Sequence, residues 1–218
     1  MRIKLISSKL CPYAQRSAIV LIHKGVPHDI DYIDLSNPPA DFQAVSPLKK
    51  VPALLADGRA FFGSTVINEF LEDQFAPSLH PADALARAVS RSWIEFGGEC
   101  IGDIAGMMLA KTEAQALAAR DALLQKFDRL EQVVGDGPYF DGAAFSLVDA
   151  GYAPAFQRLD YLDAGWPGAH DARRHPKIAA WRTRLLQHDA VIRSTVPDLP
   201  ERFAEFIRKR EGYVGRFL

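Results

Sequence analysis

The sequence predicts a two-part protein: an α/β domain over residues 1–76, a linker at 77–84, and an all-helical bundle over 85–218. Three observations carry this prediction. The early chain alternates short β-prone runs with one helical run. The stretch Ala76-Pro77-Ser78-Leu79-His80-Pro81 then interrupts every periodic pattern with two prolines. Beyond it only helical periodicity remains.

Residues 2–7 (Arg-Ile-Lys-Leu-Ile-Ser) form a short β-prone run. Residues 12–24 place Ala14, Ala18, Leu21 and Ile22 on one helical side, and Gly25 supplies a stop that tolerates positive φ. Residues 29–35 mostly alternate polar and apolar, as a strand does. Strand, helix and strand in this order make a right-handed βαβ unit. Leu54-Leu55-Ala56 and Arg59-Ala60-Phe61-Phe62 flank Asp57-Gly58, a two-residue hairpin signal. Ser64 is placed as the N-cap of the next helix, which carries Val66, Ile67, Phe70, Leu71 and Phe75 at helical spacing. A βαβ unit followed by ββα is the layout of a thioredoxin-like domain, a four-stranded mixed sheet with helices on its faces.

The second part reads as helices throughout. One spans 82–109. A second opens at Thr112, where Gln115 completes a capping box, and its face is Leu117, Leu124, Phe127, Leu130 and Val134. Gly135-Asp136-Gly137-Pro138 stops it. A third opens at Ser146, a fourth at Pro176 as a first-turn proline, and a fifth near Asp198.

Composition narrows the function. A formal net charge of −1 gives no global basic field for nucleic acid or an anionic membrane, and Arg208-Lys209-Arg210 reads as a solvated helix face. No apolar run approaches the roughly 20 residues of a membrane span, and the N-terminal run is too short for a signal-peptide core. Two cysteines, Cys11 and Cys100, give no disulfide framework and fit a reducing, cytoplasmic setting. His23, His28, His80, His170, His175 and His188 lack metal-ligand spacing, so no metal is expected.

Cys11 is the residue that points to chemistry. Pro12 follows it, and proline is tolerated in a first helical turn. Cys11 therefore sits at the N-terminal tip of the first helix, where unpaired N–H groups and the helix dipole favour an anion. Cysteines so placed have pKa values lowered from about 8.5 to roughly 3.5–7.5, and the thiolate is the nucleophile. The alternative is a small capping or buried residue. Position 14 is alanine, so no local disulfide closes, and an oxidised Cys11 needs resolution by an external thiol. Cys100 reads as a packed helix residue. Val51-Pro52 opens the third strand, where thioredoxin-like domains hold a cis-proline facing the active cysteine; an ordinary turn proline is the alternative. Gly63-Ser64 stands at a helix N-terminus, suited to a carboxylate or to simple capping.

The runs Ser-Lys-Leu-Cys11-Pro-Tyr-Ala-Gln-Arg16, Ser46-Pro-Leu-Lys-Lys-Val51-Pro52-Ala-Leu and Gly63-Ser64-Thr-Val-Ile-Asn-Glu-Phe-Leu resemble the cytosolic glutathione transferase superfamily. The cysteine-centred motif is most similar to its omega-like classes. Gly137-Pro-Tyr-Phe-Asp-Gly-Ala-Ala-Phe-Ser146-Leu-Val-Asp149 resembles the family's capping motif, with Ser146 and Asp149 capping reciprocally.

The resemblance implies glutathione as co-substrate, Cys11 as the catalytic thiol, and Val51 holding the cysteinyl part of glutathione beside cis-Pro52. It implies that Ser64 binds the γ-glutamyl carboxylate, that Lys50 reaches the glycyl carboxylate, and that Tyr13 and Gly63 border the same site. Arg16 is expected to brace the structure or a dimer. The implied activity is thiol transfer or reduction on a small hydrophobic or disulfide substrate, by a homodimer. The alternatives are a non-catalytic binding protein like the starvation proteins, and a conjugating or dehalogenating transferase. Two departures stand out: Gly63 where the family commonly has Glu or Gln, and Asn37-Pro38-Pro39 where omega-type enzymes often have a lysine. Trp93, Phe96, Met107 and Met108 are candidates for a hydrophobic substrate cleft, interhelical core being the alternative for about half of them, and the resemblance implies that the last helix, with Phe203, Phe206 and Ile207, covers it.

Overall fold

The structure, a computed structural model, describes residues 1–218. Strand β1 (Ile3–Ser7) leads into helix α1 (Pro12–His23) and strand β2 (His28–Tyr32). A short helix α2 (Phe42–Val45) precedes the hairpin of β3 (Ala53–Ala56) and β4 (Arg59–Phe62), and α3 (Ser64–Gln74) closes the first unit. The sheet order is β2-β1-β3-β4. β1 and β2 run parallel, and the other two pairings are antiparallel. The helical part follows as α4 (Ala84–Leu109), α5 (Glu113–Glu131), α6 (Leu147–Gly165), α7 (Pro176–Leu186), α8 (Asp189–Arg193) and α9 (Leu199–Lys209), with a terminal 3₁₀ turn at Tyr213–Arg216. This is the mixed-sheet domain plus helical bundle that the sequence predicts.

The hairpin turn falls at Asp57 and Gly58, both with positive φ. The register sets Ile6 opposite Ala53, and these two with Phe42 and Val51 form a small apolar cluster. Cys11 packs against that cluster, so the end of the sheet fixes the floor beneath its thiol. A larger core joins both units through α1, which lies against α3, α6 and α8.

Helix α6 is buried nearly all round. Its capping box has both reciprocal bonds: Ser146 Oγ accepts from the Asp149 N–H, and the Asp149 carboxylate accepts from the Ser146 N–H at 2.8 Å. The same carboxylate accepts from the Phe140 N–H at 3.0 Å and Trp181 Nε1–H at 2.6 Å. Asp149 thereby ties the Tyr139–Phe145 loop and α7 to the start of α6. Gly97 on α4 is required by close approach, since a Cβ there would lie 2.9 Å from the Tyr152 ring. A buried ion pair, Lys24 Nζ to Glu72 at 2.9 Å, fixes the segment after α3; Lys24 also donates to the Phe75 and Pro77 carbonyls.

Several expectations are corrected in detail. The N-cap of α3 is Gly63, not Ser64, because the backbone at 63 takes φ 89° and Ser64 is already helical. At α5, Thr112 caps Gln115 N–H, but the Gln115 side chain accepts from Lys111 N–H, so the box is only half formed. Strand β2 ends at Tyr32 and does not run on to residue 35: the Ile33 N–H makes the last parallel bond, to the carbonyl of Ser7, where β1 also ends. The elements α2 and α8 were not expected.

Candidate functional site

Cys11 is the N-cap of α1. Its backbone is extended, Pro12 occupies the first turn, and the Ala14 N–H donates to Sγ at 3.4 Å. The thiol in turn donates to the Val51 carbonyl at 3.6 Å. The Val51–Pro52 peptide is cis. Val51 lies outside the sheet ladder, and its N–H makes no internal hydrogen bond. Strand-like pairing groups are thus available beside the sulfur.

The acidity expected of Cys11 is corrected. Burial pushes the thiol up from its ordinary value, while the N–H groups of Ala14 and Tyr13 and the guanidiniums of Arg158 and Arg16 pull the other way. The helix N-terminus is present as expected, but enclosure between two units disfavours the charge. The thiolate fraction accordingly grows as pH rises through and above the ordinary thiol range. Cys100 is fully buried, and burial pushes its thiol up to about 12.

Tyr13, Lys50, Val51, Pro52, Gly63 and Ser64 line one open cleft beside Cys11. The loop carrying Lys50 is pinned by Ser46, whose hydroxyl donates to the Lys50 carbonyl at 2.7 Å. Lys50 is exposed, and Ser64 is buried at the α3 N-terminus. Tyr13 divides this cleft from a second one. Its hydroxyl donates to the Gly98 carbonyl on α4, and Arg16 lies 5.4 Å from its ring centroid. Arg16 donates to the Gly151 carbonyl and so braces α1 on α6.

The second cleft is apolar, about 240 Å³, and lined by Leu10, Ile104, Met108, Ala155, Phe203 and Phe206 among others. Of the four residues expected from the long helix, only Met108 borders it. Met107 is buried in the core, and Trp93 faces outward against Phe96 and Phe140. From α9, Phe203 and Phe206 reach the cleft, whereas Ile207 is core.

Sequence reasoning missed Arg158 and Gln15. Arg158 of α6 is 3% exposed and borders both the apolar cleft and the recess behind Cys11. The signal was there in part: Arg158 is a full charge on a helix whose neighbours Ala155, Leu159 and Leu162 are apolar.

A family model described as "Glutathione S-transferase, N-terminal domain" matches residues 10–74, and one described as "Glutathione S-transferase, C-terminal domain" matches residues 82–184. The chain belongs to the glutathione S-transferase family. Among curated relatives of this transferase, glutathione S-transferase omega-1 of Mus musculus is 31% identical over 189 residues, covering 85% of this chain and 77% of the relative. A probable glutathione S-transferase of Oryza sativa subsp. japonica, GSTU6, is 30% identical and covers 94% of this chain and 92% of its own. Among solved structures, glutathione transferase Omega 3C from Trametes versicolor superposes with TM-score 0.81 at 29% identity, over 89% of each chain. Rice GST1, solved in complex with glutathione, gives TM-score 0.84 at 27% identity, over 96% of this chain and 97% of that one. Glutathione is therefore the co-substrate of this transferase. No helix is long and apolar enough to cross a membrane.

Proposed function

We propose that this glutathione S-transferase works as a cysteine-type thiol transferase, with Cys11 forming a mixed disulfide with glutathione. The observation that carries the reading is the Cys11 sulfur at a helix N-terminus, 3.6 Å from the Val51 carbonyl and beside the cleft lined by the expected glutathione contacts. In the first step the Cys11 thiolate attacks the glutathione sulfur of a mixed disulfide, GS–SR. The S–S bond breaks, RS⁻ leaves and takes up a proton, and Cys11–S–S–G remains. In the second step a glutathione thiolate, having lost its proton, attacks the glutathione sulfur of that adduct. Oxidised glutathione leaves and the Cys11 thiolate is restored. The net reaction consumes GS–SR and one glutathione and yields RSH and GSSG.

Cys11 is the leaving group of the second step. A thiol pushed up by burial is the poorer leaving group. The neutral disulfide also suits a desolvated site better than the thiolate does. Val51 N–H and C=O would hold the cysteinyl unit of glutathione beside Pro52. The Ser64 hydroxyl and N–H would receive the γ-glutamyl carboxylate beside Gly63, whose own N–H already donates to the Pro52 carbonyl at 3.3 Å; Lys50 would receive the glycyl carboxylate, and Tyr13 would wall the sulfur off from the apolar cleft. That cleft would take an apolar R group. Both cysteines are free, as a reducing, cytoplasmic setting requires. The test is steady-state turnover of a glutathionylated peptide with glutathione, against conjugation of an aryl halide. Turnover of the first with little of the second is expected, and the reverse would overturn the reading.

Gly63 offers a second test. With φ 89° and ψ 122°, this backbone is one that L-residues rarely adopt, but a Cβ there would meet only Val66 Cγ2, at 4.0 Å. Gly63→Glu is expected to cost about 1–3 kcal/mol of stability. It should tighten glutathione binding several-fold, by a bond to the γ-glutamyl end. Thermal melting and titration calorimetry read the two effects separately. Weaker binding would show that the family's acidic contact has no place in this site.

We further propose a twofold homodimer. Phe62 and Val66 form an exposed apolar edge on the sheet unit, at 40% and 56% exposure. Leu85, Val89, Trp93 and Val133 line an apolar groove on the helical unit. Each edge would seat in the other copy's groove. Sedimentation should give a dimer, and a monomer at micromolar concentration would rule this out.

A further inference from the structure

Arg158 is a buried cation without a carboxylate. Its guanidinium donates only to neutral oxygens: Gln15 Oε1, the Pro154 carbonyl at 3.2 Å, Gln157 Oε1 at 3.4 Å and the Leu10 carbonyl at 3.2 Å. Burial of such a group without an anion is costly, and it pushes the guanidinium down to about 10. A built-in anion would repay that cost. Cys11 is the residue after Leu10, and Cys11, Gln15 and Arg158 line one small recess behind the N-terminus of α1.

We propose that Arg158, delivered from the helical unit, is the counter-ion of the Cys11 thiolate, and that Gln15 is the positioning residue that aims it. The proposal rests on Cys11 being the reacting thiol. Gln15 is itself fixed: its Nε2 donates to Gln157 Oε1 at 2.8 Å and to Ser194 Oγ at 3.1 Å. The guanidinium is thus held by residues of α1, α6 and the segment after α8 together. Thiol reactivity would then depend on how the helical unit is seated against the sheet unit.

The other groups around Cys11 serve this role less well. Lys9, before α1, is exposed and screened by water. Tyr13 of α1 and Tyr32 at the end of β2 have hydroxyls pushed up by burial, so both are neutral at physiological pH. Lys50, on the loop leading to Val51, is exposed. Arg16 is buried and leaves one terminal nitrogen without a partner, but its Nε is held by the Gly151 carbonyl and its guanidinium lies against the Tyr13 ring, and it does not border the recess that Cys11, Gln15 and Arg158 share. It ranks behind Arg158 in lowering the Cys11 thiol.

The experiment follows the rate of Cys11 alkylation by iodoacetamide against pH, read by mass, on wild type, Arg158→Met, Arg158→Lys and Gln15→Glu. Arg158→Met is expected to move the midpoint up by about 1–2 pH units and to slow alkylation at pH 7.5 by on the order of tenfold or more. Arg158→Lys should restore part of the rate. Gln15→Glu puts a carboxylate against the guanidinium and should shift the midpoint the same way, although the arginine is still present. If Arg158→Met does not fold, the other two variants carry the test. Unchanged midpoints with a lowered melting temperature would make Arg158 a structural brace and overturn the proposal. Iodoacetamide needs no glutathione, so a failure of mixed-disulfide formation would show up separately.

Discussion

Replacing Cys11 by serine lowers glutathione-dependent disulfide turnover by on the order of a thousandfold or more. A serine oxygen cannot form the disulfide that links the two half-reactions, and a hydroxyl is far less ionised than a thiol. The fold is expected to survive. Serine is a favoured N-cap, and its oxygen can accept the Ala14 N–H that Sγ accepts now. The loss would therefore be chemical, and a melting curve close to wild type would confirm it. Cys100 cannot substitute, being fully buried on α4 with its thiol pushed up to about 12. The serine variant could gain activity against aryl halides, since a hydroxyl can hold a glutathione thiolate without bonding to it. Turnover of the glutathionylated peptide near the wild-type rate would move the nucleophile away from Cys11.

The second large effect is on stability. Asp149→Ala removes a fully buried carboxylate that accepts the Phe140 and Ser146 N–H groups, the Ser146 hydroxyl and Trp181 Nε1–H. Each buried donor left unmatched costs about 1–3 kcal/mol. Burial also pushes this carboxyl up, so the charge itself is held at some cost. Taking the lower part of the range, the variant loses about 3–5 kcal/mol, a large share of a typical 5–15 kcal/mol. At this chain length the melting temperature should fall by about 10 °C or more. Asp149→Glu would rescue it only in part, because the longer side chain can still close the box with Ser146 but moves the carboxylate away from the Phe140 N–H and Trp181 Nε1–H. Chemical denaturation of both variants measures this, and a loss below about 1 kcal/mol for the alanine would show that the network is dispensable.

The sheet unit was legible because its signals are local. Asp57-Gly58 between apolar runs specifies the hairpin, and Ser146 with Asp149 specifies the start of α6, by side chains a few residues apart. Pro176 opens α7 for the same reason. The elements α2 and α8 span four and five residues, too few for a period to register. Ser64 differs from its expected place by one residue because the φ of Gly63 decides the helix start. The acidity of Cys11 was misjudged for a different reason. The helix N-terminus is a local feature, but burial comes from packing against the rest of the fold. Arg158 lies 148 residues from Leu10, whose carbonyl it meets, so no local pattern could place it there. Of the cleft-lining residues, Phe203 and Phe206 were legible only through the resemblance to omega-like relatives, which implies a last helix over the cleft. Trp93 was not, since large apolar residues on α4 face both inward and outward.

The mechanism proposed above stands or falls on whether Cys11 accepts glutathione as a mixed disulfide. The most direct measurement is the intact mass of wild type and Cys11→Ser after incubation with a glutathione mixed disulfide, followed by added glutathione. One glutathione adduct is expected on wild type alone, removed by glutathione as GSSG forms. No adduct on either protein, with no glutathione binding by calorimetry, would contradict it and leave the fold without this chemistry.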